Sequence, residues 1–179
     1  WNLPDYPGLI GKHPALIAGV LLRDHRRERD DATALVGCTL DGHLFKIAVW
    51  ERPNGAADTW VVPRHEVETA VHNAFARWKV RAMAVDKSRW VSETQDWAAR
   101  YGSDVVLDIP QSRARMIPAS ALFYRGVVQG LVTHDGDADL ARHLANAVTR
   151  ETPDGAYVSK EGRHSPLKVD LAVAAILAY

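Results

Sequence analysis

Three aspartates stand at positions from which their carboxylates could act together. Asp24 comes shortly after the apolar run ALIAGVLL, Asp86 ends the segment RAMAVD, and Asp170 lies in the C-terminal segment SPLKVDLAVAAILAY. If the strands before Asp24 and Asp86 are parallel neighbours, both side chains follow the same carboxyl edge of a sheet, where open sheets bind ligands. Three carboxylates at one edge repel one another unless a cation neutralises them.

The chemistry predicted from this cluster is metal-assisted hydrolysis. Carboxylate oxygens are hard ligands that suit Mg²⁺ or Mn²⁺. Two such ions about 4 Å apart can activate a water and stabilise the departing 3′ oxygen of a phosphodiester. We therefore predict that Asp24, Asp86 and Asp170 hold two ions and carry the catalysis. The spacing also allows a simpler interpretation, because aspartates after strands often form turns or cap helices.

The elements that would position these aspartates follow from apolar periodicity. The continuously apolar run at 15–22 is typical of a strand buried on both faces. An Asp-Gly pair at 41–42 separates ATALVGCTL from HLFKIAVWE, which predicts a hairpin with a type I′ turn. In the second of these runs, alternation places Phe45, Ile47 and Val49 on one face of a strand.

The rest of the chain alternates between helical and strand patterns. Apolar residues recur at helical spacing from Val67 to Trp78, which predicts an amphipathic helix. Ser165 and Pro166 have the residue types of a helix N-cap and first turn, so we predict a final helix from there to Tyr179, with Asp170 inside it. Between these helices we predict strands over 81–86, 105–109 and 156–160 and helices over 91–101, 112–130 and 137–148.

This order of elements predicts an α/β fold. Three antiparallel strands followed by alternating helices and strands describe a mixed central sheet with helices on both faces. The ribonuclease H-like architecture has this order, and so do some unrelated mixed sheets. At roughly 150 residues per domain, 179 residues correspond to one domain. We place this domain at 13–179, after an irregular lead-in or linker remnant at 1–12.

Composition excludes several other classes. With 47% hydrophobic and 25% charged residues, the chain is neither disordered nor fibrous. Its 22 basic and 22 acidic residues cancel, so the overall charge gives no sign of a nucleic-acid partner, although a local basic face could exist.

The single cysteine, Cys38, excludes a disulfide framework and fits a reducing compartment. The apolar runs are too short to cross a membrane, and no basic-then-apolar leader opens the chain. Because the first residue is Trp1 rather than Met, we expect a piece of a longer protein.

Other catalytic and metal motifs are absent or incomplete in the sequence. An HExxH-like start at 65–68 lacks its second histidine, and His134 and His143 do not have the spacing of zinc ligands. The alternating aspartates at 135–139 resemble a calcium loop, but its glycine and later glutamate are misplaced, so we predict the start of a helix there. Neither GxSxG nor the phosphate-binding GxxxxGK[ST] motif occurs.

Several segments, in order along the chain, resemble the nuclease domain of tailed-phage terminase large subunits. The resemblance runs from about Ala15 to Tyr179. It implies a ribonuclease H-like, two-metal endonuclease that cuts concatemeric double-stranded DNA during genome packaging, in the cytoplasm of the bacterial host. The segments are DDATALVGCTLDGHLFKIAVWERP (30–53), WVVPRHEVETAV (60–71), AVDKSRWVSETQDWAARYG (84–102), residues 131–150 and SPLKVDLAVAAILAY (165–179).

By position, the resemblance matches Asp24, Asp86 and Asp170 to the first, second and third acids of that family. A basic turn follows Asp24 where relatives carry a small residue, so Asp30 and Asp31 are alternatives for the first acid. The resemblance also implies a packaging ATPase upstream in the same chain, together with portal and small terminase as partners.

Basic residues flank the first and third acids and follow the second. If they border one cleft, they would neutralise DNA phosphates without reading bases. An ordinary solvated charged loop is the alternative. The candidates for DNA binding are Arg26, Arg27, Lys87, Lys160, Arg163 and Lys168.

Two other functions remain open from the sequence. One is another ribonuclease H-like nuclease, of the resolvase or integrase type. The other is a non-catalytic DNA-binding module of the packaging motor, which the altered turn after Asp24 allows. Binding of Mn²⁺ would distinguish a nuclease from a module without catalytic function.

Overall fold

The computed structural model describes residues 15–21, 32–53, 55–57, 59–86, 90–162 and 165–179. The predicted lead-in and the boundary at residue 13 lie outside these residues. The strands are β1 (Ala15–Leu21), β2 (Thr33–Thr39), β3 (His43–Trp50), β4 (Lys79–Val85), β5 (Val106–Asp108), β6 (Thr133–His134), β7 (Val148–Thr152) and β8 (Gly155–Ser159). The helices are α1 (Arg64–Arg77), α2 (Val91–Tyr101), α3 (Arg113–Val128), α4 (Ala138–Ala145) and α5 (Asp170–Ala178).

In the described part of the chain, a mixed sheet of six strands forms the centre, in the order β5-β4-β1-β2-β3-β6. The chain runs antiparallel from β1 to β2 and from β2 to β3, whereas β4 lies parallel to β1 on its other side. Strand β5 continues the sheet parallel to β4. The predicted α/β fold with three antiparallel strands followed by parallel strands is confirmed.

Helices cover both faces of this sheet, as predicted. Because successive residues of a strand point to opposite faces, Leu35 and Val36 of β2 belong to different core clusters. The cluster around Leu35 is formed with α1 and α2, and its largest members are Phe45, Trp50, Trp78, Trp90 and Trp97. The cluster around Val36 is formed with α3, α4 and α5, and includes Met116, Phe123, Leu140, Leu171 and Ile176.

The turn between β2 and β3 differs from the predicted type. The Gly42 N–H donates to the carbonyl of Thr39 at 3.0 Å, and Gly42 has φ +86°. Among the described residues only glycines have positive φ, so Asp41 does not adopt the conformation that a type I′ turn requires. The connection is a three-residue loop, in which one glycine in the left-handed region is enough to close the hairpin.

A β-bulge interrupts the alternation in β3. Leu35 pairs with Ala48, but the next residue of β2 pairs with Lys46, so Ile47 is the extra residue. Beyond the bulge the faces exchange, and Val49 packs with the cluster on the opposite side from Ile47. The predicted common face of this strand therefore ends at the bulge.

Two predictions fail in the second half of the chain. The helix predicted over 137–148 ends at Ala145, and Val148–Thr152 pairs antiparallel with β8 as a separate hairpin. The β-branched residues of this segment favour a strand over a continuation of the helix. The final helix begins at Asp170 and not at Pro166, because residues 165–169 are not helical and Ser165 accepts a hydrogen bond from Leu167 N–H at 3.3 Å. Asp170 is therefore the first helical residue.

Helix α5 lies against β1 and β2 at very short distance. An ideal Cβ at Gly19 would lie 1.9 Å from the carbonyl oxygen of Ala174. All residues of α5 are buried except Leu177, which is partly buried. The absence of a side chain at Gly19 thus allows an apolar helix to approach the centre of the sheet.

Cys38 provides a test of this packing. It is 2% exposed, and burial, with a smaller contribution from the charge of Asp41, raises the pKa of its thiol from 9.0 to about 11. At pH 8 that shift lowers the thiolate fraction about 100-fold. We expect iodoacetamide to leave the folded protein unmodified and to add one carbamidomethyl group after unfolding in guanidinium, as measured by intact mass. Labelling at equal rates in both states would contradict the buried position.

Among the described residues, no helix is both long and apolar enough to cross a bilayer.

Candidate active site

Two of the predicted acids lie at one edge of the central sheet. Asp86 directly follows β4 and is 9% exposed, and Asp170 opens α5 and is 3% exposed. One carboxylate oxygen of Asp170, Oδ2, accepts a hydrogen bond of 3.0 Å from the N–H of Ala32, which precedes β2. Its position at the start of the helix also favours a negative charge, because the N-terminal end of a helix dipole is positive.

The end of β1 lies between these two acids. Val20 pairs with Val85 of β4, and Leu21 pairs with Ala34 of β2. Neighbouring strands are about 4.8 Å apart, so Asp86 and the start of β2 stand about 10 Å apart across the end of β1. The sheet therefore places the second and third acids on either side of the position where the chain leaves β1.

The first acid cannot be placed in the same way. Asp24 and its alternatives Asp30 and Asp31 lie outside the described residues, as do Arg26, Arg27, Lys87 and Arg163. Asp24 is three residues beyond the end of β1 in sequence. Within the described ranges there is no cluster of three or more His, Cys, Asp or Glu side chains that could hold a metal ion. The roles of all three acids remain predictions.

Two of the predicted DNA-binding lysines are described. Lys168 is half-buried two residues before Asp170, and its carbonyl accepts a hydrogen bond from Asn146 Nδ2 at 3.0 Å. Lys160 follows β8 and is also half-buried, with its carbonyl 3.4 Å from Nη2 of Arg150. Lys168 thus precedes the site directly, whereas Lys160 belongs to the β7–β8 hairpin. Their contacts with DNA remain predictions.

The aspartates at 135–139 form the start of a helix, as predicted. The Oδ1 atom of Asp137 accepts from Leu140 N–H at 2.9 Å and caps α4. Lys46 of β3 lies 2.7 Å from carboxylate oxygens of both Asp137 and Asp139. These ion pairs hold α4 against the sheet.

Sequence reasoning missed a histidine beside the candidate site. His143 of α4 is fully buried, with Nε2 2.6 Å from Oε1 of Glu51 and Nδ1 2.9 Å from the backbone nitrogen of Leu171. The hydrogen bond with His143 holds the pKa of Glu51 below its usual range, against the effect of burial and with help from Arg142. The available signal was the helical spacing of His143 from Leu140, which puts the imidazole on the apolar face of α4.

Two curated relatives match most of the chain. Both are described as "Gene 13 protein", from Mycobacterium phages D29 and L5, and each is 32% identical over 162 residues, which is 84% of this chain. The chain spans only 27% of the length of each relative. No family model matches it.

Solved structures show the same architecture. The large terminase of bacteriophage HK97 superposes with a TM-score of 0.68 at 20% identity, over 96% of this chain and 41% of that one. The large terminase nuclease of the thermophilic phage G20c gives 0.61 at 18% identity, over 93% of this chain and 81% of that one. The chain has the fold of a large terminase nuclease domain. The resemblance found in the sequence is therefore confirmed in the fold, which is ribonuclease H-like.

One of these solved nucleases is also known with bound metal ions. The G20c nuclease has also been solved with bound magnesium, cobalt and zinc. All three are divalent ions.

Proposed function

We propose that this chain is the nuclease domain of a phage large terminase, a divalent-metal-dependent endonuclease that cuts double-stranded DNA during genome packaging. The observation that carries the proposal is the pair of buried carboxylates, Asp86 and Asp170, on either side of the end of β1 in a terminase nuclease fold. The bound metals of the G20c nuclease support metal use in a protein of this fold.

The donor atoms at this edge fit a hard cation. Asp86 and Asp170 offer carboxylate oxygens, the ligands that Mg²⁺ and Mn²⁺ prefer. We assign the remaining acid to Asp24, with Asp30 and Asp31 as alternatives, because residues 22–31 connect β1 to the Ala32 amide that binds Asp170. When bound, two such ions supply an activated water and stabilise charge on the departing 3′ oxygen.

The other residues of the site would hold and screen the substrate. The buried carboxylate of Asp170 is fixed by Ala32, so its position is set before any ligand arrives. Lys160 and Lys168, together with the lysine and arginines outside the described residues, would neutralise phosphates along the duplex without selecting a base sequence.

The chain spans 27% of the length of its curated relatives, so we also propose which other parts of the protein and which partners act with it. We infer that a packaging ATPase precedes it in the same protein, and that portal and small terminase act with the assembled motor. The place of action would be the cytoplasm of the bacterial host.

The test is cleavage of supercoiled plasmid in Mn²⁺, in Mg²⁺ and in EDTA, with calorimetry of Mn²⁺ binding alongside. We expect nicked and then linear DNA with either ion, and intact plasmid in EDTA. A chain that binds no Mn²⁺ and leaves the plasmid intact in every condition would contradict a nuclease and favour a non-catalytic DNA-binding module. Cleavage restricted to branched DNA would favour a nuclease of the resolvase type.

A further inference from the structure

The first turn of α5 receives a hydrogen-bond acceptor from another helix. N–H groups in the first turn of a helix have no partner within it, and a side chain of the N-cap residue usually accepts from one of them. The N-cap residue of α5 is Val169, whose side chain cannot do this. The N–H of Leu171, a fully buried residue, instead donates to Nδ1 of His143 in α4 at 2.9 Å.

The second nitrogen of His143 connects this cap to the sheet. Because Nδ1 accepts a hydrogen bond, a neutral imidazole carries its proton on Nε2 and donates to Oε1 of Glu51, 2.6 Å away. Glu51 directly follows β3, and Trp50 at the end of β3 pairs with Thr33 at the start of β2. Glu51 therefore leaves the sheet at the edge that carries Asp170.

Glu51 also forms an ion pair with Arg142, an exposed residue of α4. Nη2 of Arg142 lies 2.9 Å from the same Oε1 atom, and 3.0 Å from a carboxylate oxygen of Asp139. The imidazole between Glu51 and Leu171 is fully buried, whereas the Glu51 side chain is 26% exposed. The chain of contacts thus runs from the surface of α4 through Glu51 and His143 to the residue that follows Asp170.

We propose that Glu51 and His143 are positioning residues that fix the first turn of α5, and with it the carboxylate of Asp170, for binding of the metal ions. This role rests on the proposed nuclease function. Asp170 has its own contact with the amide of Ala32, on the β2 side. The His143 imidazole holds Leu171, the next residue, from the side of β3. Together the two contacts fix the position of the first turn of α5 and its rotation about the helix axis.

The physical reason is that loss of the imidazole leaves a buried N–H without an acceptor. Such a group costs free energy unless the backbone moves to reach water or another acceptor. In α5 that movement begins at Leu171, one residue from Asp170, and the carboxylate moves with it. Groups that orient a metal ligand in this way typically change metal affinity or activity 10–100-fold when removed.

The experiment compares three variants of the same helix with the wild type. His143→Leu removes both hydrogen bonds at similar volume, and His143→Asn keeps an acceptor near the position of Nδ1 but loses the contact with Glu51. Leu140→Ala is the control, because Leu140 is also fully buried in α4 but makes neither hydrogen bond. Two quantities are measured on folded protein: hydrogen exchange of the Leu171 amide by NMR and the affinity for Mn²⁺ by calorimetry.

We expect His143→Leu to speed exchange at Leu171 and to weaken Mn²⁺ binding, each about 10-fold or more. His143→Asn should restore most of the protection at Leu171 and part of the affinity. Leu140→Ala should lower the melting temperature and leave both quantities near wild type. If His143→Leu does not fold, Glu51→Ala removes the outer contact from a partly exposed position and is expected to change both quantities in the same direction.

Two results would overturn the positioning role in different ways. If wild type binds Mn²⁺ and the folded His143 and Glu51 variants bind it equally well, only the positioning role fails. If wild type binds no Mn²⁺, the proposed nuclease function fails and the positioning role fails with it.

Discussion

Asp170→Asn is expected to reduce metal-dependent plasmid cleavage more than about 100-fold, because a lost ligand should cost more than a lost orienting group. The amide keeps the size of the side chain and an oxygen that can accept from Ala32, so the start of α5 should keep its place. The charge that attracts a divalent cation is lost. Asp86→Asn is expected to act in the same way from the other side of β1. Nicking rates in Mn²⁺, with circular dichroism of each variant, measure the effect.

Asp96→Asn is the matched control for these two variants. It makes the same chemical change on an exposed position of α2. We expect its nicking rate to equal that of wild type. Cleavage by folded Asp170→Asn within a few-fold of the wild-type rate would show that this carboxylate is not a ligand, even if the domain is a nuclease.

Gly19→Ala is expected to cause the largest loss of stability. The added Cβ would lie 1.9 Å from the carbonyl oxygen of Ala174 and 3.0 Å from the backbone nitrogen of Ala178. Both atoms belong to the backbone of α5, so no side chain can rotate to make room and the helix must shift. Overpacking of this kind costs about 1–3 kcal/mol and sometimes more, and we expect about 3 kcal/mol or more here. Urea denaturation with linear extrapolation measures the change.

Gly162→Ala is the control for the change of residue type. A Cβ at Gly162 meets no atom within 4 Å, and we expect the free energy of unfolding to change by less than about 0.5 kcal/mol. Equal denaturation midpoints for the two variants would mean that α5 does not lie on β1 as described. Since α5 carries Asp170, the shifted helix of Gly19→Ala should also bind Mn²⁺ more weakly.

The elements with a strong period could be predicted closely. The apolar residues between Val67 and Trp78 gave α1, and α2 occupies the predicted residues 91–101. The bulge at Ile47 could not be seen in the sequence, because an extra residue changes the register of two strands and not the composition of either.

The start of α5 shows why local signals were not enough. Ser165 and Pro166 are favourable residues for a helix start, yet the helix begins at Asp170. The choice is made by partners distant in sequence, because Ala32 binds the Asp170 carboxylate and His143 binds the Leu171 amide. Tertiary contacts of this kind override intrinsic preference.

The candidate site was predictable in part for a related reason. A strand and the residue after it determine where Asp86 lies. Helix α1 connects β3 to β4, which is the usual connection between parallel strands, and β3 already runs parallel to β1. The parallel pairing of β4 with β1 follows from that direction. His143 and Glu51 come from elements far apart in sequence, α4 and the end of β3, and only the folded chain brings them together.

The contact between Ala32 and Asp170 also determines when the edge of the sheet is completed. These residues are separated by 138 positions, so the strands that flank the edge leave the ribosome long before the helix that closes it. Closing so long a loop costs conformational entropy, and this contact can form only after α5 has been synthesised. Folding that depends on contacts between residues distant in sequence is slow. On the function proposed above, a nascent or truncated chain would carry Asp86 without Asp170. The candidate site would therefore be complete only after α5 has been synthesised. Incomplete chains would not cleave DNA.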